Sequence, residues 1–198
     1  MTKNLYLMRH GETLFNLRQL NQGFSDSPLT ENGIEQAKIA RKYLEENNFE
    51  FDHFYCSTQE RAEDTLNLIT DREYTRDKRL KERNCGVYEG THVDITPSFF
   101  LDEKDHDQFW INAKGETERQ IADRLMGFMV ETMAKEDHVN VLVVSHGTII
   151  KNMLRFYIDE SINYVARNCG IVHLTYEDGK FNFERYIDTI EEYKGSKS

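Results

Sequence analysis

The sequence predicts an α/β fold: a three-layer sandwich with a mostly parallel central sheet, helices on both faces and an antiparallel hairpin at one edge. Three observations support this. Short apolar segments alternate with segments of helical period along most of the chain. Two apolar segments end just before a His-Gly pair, and two others flank an Asp-Gly turn near the C-terminus. Residues 1–198 are interpreted as a single domain, since this length is enough for one sizeable core.

Three short apolar segments are predicted to be strands. Residues 3–8 (KNLYLM) and 139–144 (VNVLVV) are partly β-branched or aromatic, which is typical of buried central strands in a parallel sheet. Each is followed by one polar residue and then His-Gly. Residues 51–56 (FDHFYC) have the same length and form the third predicted strand.

Helices are predicted between these strands. Residues 30–47 and 117–136 carry apolar side chains at spacings of three and four, and the segment after His146 has the same period. Strands and helices therefore alternate, with one irregular region before the helix predicted at 117–136. This order is typical of a layered α/β fold.

Two helix starts carry the capping-box pattern, in which Ser or Thr is followed three residues later by Glu or Gln. Ser57 with Glu60 predicts a start directly after the third strand, and Thr117 with Gln120 predicts another. Arg61 then falls in the first or second turn of the earlier helix.

A C-terminal hairpin and one long insertion complete the predicted fold. Residues 171–176 (IVHLTY) and 180–186 (KFNFERY) flank Glu177 and the Asp178-Gly179 pair, which is typical of a two-residue hairpin turn. Residues 86–114 have no clean period and combine aromatic with acidic side chains. A long segment of this kind is more often functional than a connector, so we expect a lid or substrate-specificity insertion.

Composition limits the classes of function. A formal net charge of -10 argues against nucleic acid or an anionic membrane as partner, because both require a basic protein surface. The three cysteines, Cys56, Cys85 and Cys169, are far apart, so neither a disulfide framework nor a structural zinc site is expected. The apolar run 5–8 is too short for a signal peptide, and no segment reaches membrane-spanning length. We therefore expect a cytoplasmic globular protein.

Three polar side chains directly follow the predicted strands. His10 and His146 come after the two central strands, and Arg61 follows the third. Ligands of open α/β sheets bind beyond the carboxyl ends of the strands, so these side chains are expected to converge. With Arg9 they combine guanidinium forks and imidazoles, and Gly11 allows close backbone approach, which is typical of a phosphoryl site. Taken singly, His146 and Arg61 are also typical of structural positions.

Six motifs, taken in order, resemble those of the histidine phosphatase superfamily in its phosphoglycerate-mutase-like branch. One motif alone is weak, but their order and spacing over most of the chain make the resemblance specific. The motifs are RHGET at 9–13 with Asn16 after it, QGFSDSPLTENG at 22–33, STQERAEDT at 57–65, LKERNCGVYEG at 80–90, GET at 115–117 and VSHG at 144–147.

The resemblance implies a covalent mechanism. His10 would attack the phosphorus of a phosphomonoester, giving a phosphohistidine that water then cleaves. Arg9, Arg61 and His146 would hold the non-bridging oxygens. Glu82 matches the acid of the family, which would protonate the leaving alkoxide and then activate water. No metal and no cofactor are expected, because the arginines supply the positive charge.

The resemblance also implies secondary contacts to the substrate. These are Thr13, Asn16, Gln22, Gly23, Arg83 and Gly147. The expected partner is a small phosphorylated metabolite. A homodimer is left open, because dimers are the common default among oligomers.

Three functions compete: a phosphatase, a phosphoglycerate mutase and a non-catalytic phosphate-binding module. A mutase must hold a second anionic group, but residues 86–114 contain only Lys104 and Lys114 as cations against six acidic residues. This balance of charge favours the phosphatase. However, residues 82–86 read ERNCG where mutases resemble ERHYG, and the retained Arg83 favours the mutase. The binding module has no support, since every catalytic residue type is present.

Overall fold

A computed structural model describes residues 2–96, 103–161 and 166–197. Its strands are β1 (Lys3–Arg9), β2 (His53–Ser57), β3 (Thr75–Asp77), β4 (Asn140–Ser145), β5 (Ile171–Glu177) and β6 (Lys180–Ile187). Its helices are α1 (Leu14–Leu17), α2 (Glu31–Glu46), α3 (Glu60–Ile69), α4 (Glu103–Asn112), α5 (Glu118–Met133), α6 (Gly147–Tyr157) and α7 (Thr189–Gly195). Within the described ranges, no helix has both the length and the apolar character needed to cross a bilayer.

The strands form one sheet in the order β3-β2-β4-β1-β5-β6. The pairs β3/β2, β2/β4 and β4/β1 are parallel, whereas β1/β5 and β5/β6 are antiparallel. The prediction of a mostly parallel sheet with an antiparallel edge hairpin is confirmed. Asp178 and Gly179 have φ angles of 50° and 78°, the left-handed conformation that a type I′ hairpin turn requires.

Helices cover both faces of the sheet, which confirms the three layers. Successive side chains of a strand point to opposite faces. Leu5 and Leu7 of β1 pack in one buried cluster with apolar residues of α5 and α6. Tyr6 and Met8 pack in another, with residues of α2 and α3. Burying one large apolar side chain contributes about 1.5–3 kcal/mol, so both helical layers stabilise the central strands.

One of the two predicted helix caps is correct. The Thr117 hydroxyl accepts a hydrogen bond from Gln120 N, and the Gln120 side chain accepts one from Thr117 N at 2.9 Å. The cap predicted at Ser57 is wrong, because Ser57 remains in β2 and its hydroxyl accepts a 3.3 Å hydrogen bond from Gln59 N. Gln59 is instead the N-cap of α3, and Arg61 lies in the first turn as predicted.

The insertion at 86–114 contains more regular structure than its sequence indicates. The described part has short 3₁₀ turns at Gly86–Tyr88 and Val93–Ile95, followed by α4. Trp110 of α4 is buried and packs with neighbouring aromatic and small residues. The aromatic side chains at 99 and 100 lie outside the described residues. The role of the segment as a lid stays a prediction.

Candidate active site

The predicted site residues meet at a cavity beyond the carboxyl ends of β1, β2 and β4. Its volume is about 510 Å³. All of them except Thr13 and His146 line it. The lining members are Arg9, His10, Asn16, Gln22, Gly23, Arg61, Glu82, Arg83 and Gly147. The rule that ligands bind beyond the strand ends therefore located the cavity correctly.

His10 is held in a single orientation by its neighbours. Its backbone N donates to Ser145 O at 3.0 Å, and its backbone O accepts from Asn168 Nδ2 at 2.9 Å. The ring Nδ1 lies 2.7 Å from Gly11 O. A carbonyl oxygen only accepts hydrogen bonds, so Nδ1 carries the proton and Nε2 keeps its lone pair. This tautomer leaves Nε2 as the nucleophilic atom.

The surroundings of His10 also favour its neutral form. Burial lowers the pKa of the His10 imidazole well below its usual value of 6.5, and the guanidinium groups of Arg61 and Arg9 lower it further. The hydrogen bond to the Gly11 carbonyl acts in the opposite direction but is the smallest of these effects. His10 is therefore unprotonated and competent as a nucleophile near neutral pH.

His146 lies beside His10 at the end of β4. The two ring centroids are 5.1 Å apart. His146 is completely buried, and neither ring nitrogen has a hydrogen-bond partner among the described residues. Burial, followed by the charge of Arg61, lowers its pKa well below 6.5. Leaving two buried polar atoms unpaired costs free energy, so His146 is suited to bind polar groups of a ligand.

Arg61 is a buried cation that is hydrogen-bonded to one loop, residues 23–26. Its Nη2 donates to Gly23 O at 3.0 Å, and its Nη1 donates to Ser25 O and to Asp26 Oδ1, both at 2.9 Å. The side chain is fully shielded from solvent, and Nε has no hydrogen-bond partner among the described residues. Three of the five N–H donors of the guanidinium are thus used by the loop, which leaves Nε–H and one Nη2–H for an anion.

Arg9, the last residue of β1, is the second cation. Its Nη1 donates to Ala166 O at 2.9 Å, while its buried Nε has no hydrogen-bond partner in the described part of the chain. Burial lowers the pKa of the Arg9 guanidinium below its usual value, and the charge of Glu82 opposes this. A guanidinium stays protonated in proteins, so Arg9 and Arg61 together supply two positive charges.

Glu82 is anchored at the N-terminus of α6. Its Oε1 accepts hydrogen bonds from Arg83 N at 2.8 Å and Ile149 N at 3.1 Å, and its Oε2 accepts one from Thr148 N at 3.0 Å. Amides at a helix N-terminus favour an anionic group there. These bonds fix the carboxylate at the cavity wall, close to the backbone that follows His146.

Thr13 acts through its neighbours. It is fully buried, and its hydroxyl donates to Gln22 Oε1 at 2.8 Å and accepts from Asn16 N at 3.2 Å, which caps α1. Gln22 Nε2 in turn donates to Ser27 Oγ at 3.0 Å. Thr13 therefore orients Gln22 and Asn16, which line the cavity.

Two cations of the cavity were missed from the sequence. Lys151 and Arg155 are four residues apart on α6, so they share one helical face, and both line the cavity. Arg155 Nη1 lies 2.6 Å from Glu118 Oε2, and Arg83 Nη2 lies 3.5 Å from Glu118 Oε1. The count of cations over 86–114 therefore omits these two side chains of the cavity, because both lie outside that segment. Their spacing after His146 was the signal available.

A separate His-rich cluster lies at the other end of the sheet. Among the described residues, His53, Asp137 and His138 have ligand atoms close enough to hold a metal ion. However, the two imidazoles stack with centroids 3.7 Å apart and 14° between their planes. A metal lies near the plane of each imidazole that binds it, which two stacked rings do not allow. The cluster does not line the cavity.

The chain matches a known protein family over most of its length. The family model of the histidine phosphatase superfamily (branch 1) matches residues 5–189. The chain belongs to the histidine phosphatase superfamily. The resemblance inferred from the six motifs is thus confirmed. Among relatives in this family is a probable phosphoglycerate mutase, GpmB, of Yersinia pestis, 29% identical over 189 residues, which cover 88% of this chain and 85% of the relative.

Solved structures of related proteins share the histidine phosphatase fold. A phosphoglycerate mutase from Bacillus anthracis has a TM-score of 0.85 at 23% identity, covering 100% of this chain and 97% of the other. A putative alpha-ribazole-5'-P phosphatase from Escherichia coli has a TM-score of 0.78 at 25% identity, covering 94% of this chain and 98% of the other. Both structural similarities extend over nearly the whole chain, so the α/β architecture is that of the family.

His10 and His146, both buried, should make the stability of the protein depend on pH. Their pKa values are lowered in the folded state, so the unfolded chain binds more protons below the usual value of 6.5. The free energy of unfolding should therefore fall as pH decreases from about 7 to about 5, by up to about 1.4 kcal/mol per pH unit for each histidine.

Urea denaturation at several pH values checks this dependence. In His146→Gln the slope should be smaller by the contribution of one histidine. An unchanged slope in His146→Gln would show that His146 does not contribute to this pH dependence.

Proposed function

We propose that this protein is a phosphatase that hydrolyses a small phosphomonoester through a phosphohistidine on His10. The observation that carries the proposal is the hydrogen bond from His10 Nδ1 to Gly11 O, 2.7 Å long. It directs the lone pair of Nε2 away from the backbone. The adjacent guanidinium groups of Arg9 and Arg61 provide positive charge for a phosphoryl group.

The first step forms a bond between His10 Nε2 and phosphorus while the bond from phosphorus to the alcohol oxygen breaks. Glu82 enters this step in its protonated form and gives the proton to that oxygen, so the product leaves as a neutral alcohol and Glu82 as a carboxylate. In the second step, water loses a proton to Glu82 and attacks phosphorus. The bond to Nε2 then breaks, inorganic phosphate is released and the enzyme returns to its initial protonation state.

Arg9, Arg61 and His146 would bind the non-bridging oxygens during both steps. Phosphoryl transfer depends chiefly on positioning and on stabilisation of charge. The unpaired Nε atoms of Arg9 and Arg61, and the ring nitrogens of His146, are buried donors or acceptors of the kind this role requires. Similarity to proteins described as mutases and as a phosphatase supports phosphoryl transfer as the class of chemistry.

Phosphoglycerate mutase is the second candidate, and Arg83 favours it. The Nε and Nη2 atoms of Arg83 are buried and have no hydrogen-bond partner among the described residues, although Nη2 lies within ion-pair distance of Glu118 Oε1, at 3.5 Å. These two nitrogen atoms form one edge of the guanidinium, the edge that binds a carboxylate in a bidentate manner. Lys151 lines the same cavity. Arg83 and Lys151 would bind the second anionic group that the substrate of a mutase carries.

Phosphorus NMR distinguishes the two candidates directly. Purified protein is incubated with 3-phosphoglycerate, and the signals of 2-phosphoglycerate and inorganic phosphate are followed together. We expect inorganic phosphate to appear faster. Interconversion of the two phosphoglycerates that outpaces phosphate release would favour the mutase. Absence of both reactions, with no release from a panel of other phosphomonoesters, would reject both functions.

Replacing Lys151 by methionine should affect only substrates with a second anionic group. A hydrogen bond to a charged group is worth about 1.5–3 kcal/mol, so KM for a carboxylate-bearing phosphomonoester should rise roughly tenfold or more. KM for a simple aryl phosphate should change little. Steady-state kinetics on the two substrates measure this, with Lys151→Arg as the control that keeps the charge. Equal changes for both substrates would contradict a role for Lys151 in binding the second anion.

A further inference from the structure

One buried side chain connects the loop 23–26, which binds Arg61, to the backbone of Glu82. Gln59, the N-cap of α3, is only 3% exposed. Its Nε2 donates to Gly23 O at 2.8 Å. Its Oε1 accepts from Glu82 N, also at 2.8 Å. The amide therefore forms one hydrogen bond at each end, both to main-chain atoms.

Both ends of this connection lie within the catalytic machinery. Gly23 O also accepts the 3.0 Å hydrogen bond from Arg61 Nη2, so Gln59 and Arg61 share one acceptor. At the other end, the carboxylate of Glu82 is fixed by the amides of α6, while Gln59 holds its backbone N. Gln59 thus connects the loop that binds Arg61, a proposed phosphate ligand, with Glu82, the proposed proton donor.

The chemistry of an amide explains why glutamine suits this position. Gly23 O needs a donor and Glu82 N needs an acceptor, and a primary amide offers both on one planar group. A carboxylate of the same length would place a negative oxygen against a carbonyl. An apolar side chain of similar size would leave the Glu82 amide without this partner, a loss that is costly in a buried site.

We propose that Gln59 is a positioning residue that sets the place of the Glu82 carboxyl relative to the phosphoryl group held by Arg61. The proposal rests on the proposed function, since it assumes that Glu82 protonates the leaving oxygen. Gln59 itself does not line the cavity. Its effect therefore passes through the backbone of Gly23 and Glu82.

This role makes a prediction about leaving groups. Proton donation is essential when an alkoxide leaves, but matters little when the leaving group is an acidic phenol such as p-nitrophenol. A displacement of about 1 Å in a catalytic group costs on the order of 100-fold in rate. In Gln59→Leu, kcat/KM for an alkyl phosphate should therefore fall about 100-fold. For p-nitrophenyl phosphate the fall should be less than about threefold, because little proton transfer is needed.

The experiment measures kcat/KM on a series of alkyl and aryl phosphates whose leaving groups differ in pKa. Gln59→Met is measured in parallel, so that the test survives if the leucine variant does not fold. Asn47→Leu is the matched control, since Asn47 is exposed at the end of α2, does not line the cavity, and its side-chain amide donates to Tyr43 O at 2.8 Å. This control should retain the wild-type dependence on the leaving group. Thermal unfolding shows whether each variant is folded.

The outcomes separate the inference from the function on which it rests. A steeper dependence on leaving-group pKa in folded Gln59 variants supports the positioning role. Folded variants that slow all substrates equally, or none, overturn it while the wild-type enzyme remains active. If wild-type protein hydrolyses none of the phosphates, the proposed function itself fails and the role of Gln59 fails with it.

Discussion

Replacing His10 by alanine should lower kcat/KM for phosphate release by at least about 10⁴-fold, because the nucleophile of the covalent pathway is lost. The cavity and its cations should remain, so binding of inorganic phosphate or vanadate should persist. Activity is measured with p-nitrophenyl phosphate, which tolerates a poor proton donor. This choice isolates the loss of the nucleophile from effects on Glu82.

His53→Ala is the matched control for the His10 variant. His53 lies at the first position of β2, at the opposite end of the sheet, where it faces Asp137 at 3.3 Å. Its removal should leave kcat/KM unchanged. Retention of more than about 1% of wild-type activity in folded His10→Ala would contradict a nucleophilic role for His10.

Replacing Arg61 by methionine should reduce both activity and stability. The variant loses one of the two guanidinium groups beside His10, and loss of a donor to transition-state charge costs roughly 10²- to 10³-fold in kcat. It also leaves Asp26, whose side chain is 23% exposed, without its buried ion-pair partner. Breaking a buried pair in this way typically costs about 3 kcal/mol.

Two measurements follow the consequences of Arg61→Met. Steady-state kinetics report the loss in kcat, and urea denaturation reports the free energy of unfolding. Adding Asp26→Asn should recover part of the stability but none of the activity. Arg41→Met is the control, because Arg41 forms ion pairs with Glu45 and Asp71 on the surface. Unchanged activity in Arg61→Met would show that Arg61 does not bind the phosphoryl group during catalysis.

The parts of the fold that the sequence predicted are those with a strong periodic signal. The central strands are continuous apolar runs, and the hairpin turn has an Asp-Gly pair in which both residues adopt positive φ. The three-residue strand β3 and the short helices α1 and α7 were missed, because segments of this length carry too little periodicity. Ser57 was mistaken for a cap because its spacing to Glu60 fits the pattern, whereas Ser57 is the last residue of β2 and the N-cap of α3 is Gln59.

The candidate site was predictable to a different extent for each residue. His10, His146 and Arg61 follow from the position of strand ends, since parallel strands place their carboxyl ends on one side of the sheet. Glu82 required the family resemblance, because nothing in a charged, irregular segment distinguishes it from a surface acid. Its position at the N-terminus of α6 appears only in three dimensions.

Contacts between distant segments account for what was missed. Gly23 has a φ of +36°, and a Cβ there would collide with the Glu89 carboxylate. Glu89 itself accepts hydrogen bonds at 2.8 Å from the amides of Phe24, Ser25 and Cys85. Neither the need for glycine nor the role of Glu89 is visible in local sequence, since each depends on two loops meeting.

We expect hydrolysis to pass through a phosphoryl group bound covalently to His10. Rapid mixing of wild-type protein with a phosphomonoester, followed by an alkaline quench and peptide mass spectrometry, tests it most directly. We expect a phosphoryl group on Nε2 of His10 that forms and decays fast enough to account for turnover and is labile to acid. Turnover without any phosphorylated peptide, or with the phosphoryl group on a residue other than His10, would contradict the mechanism.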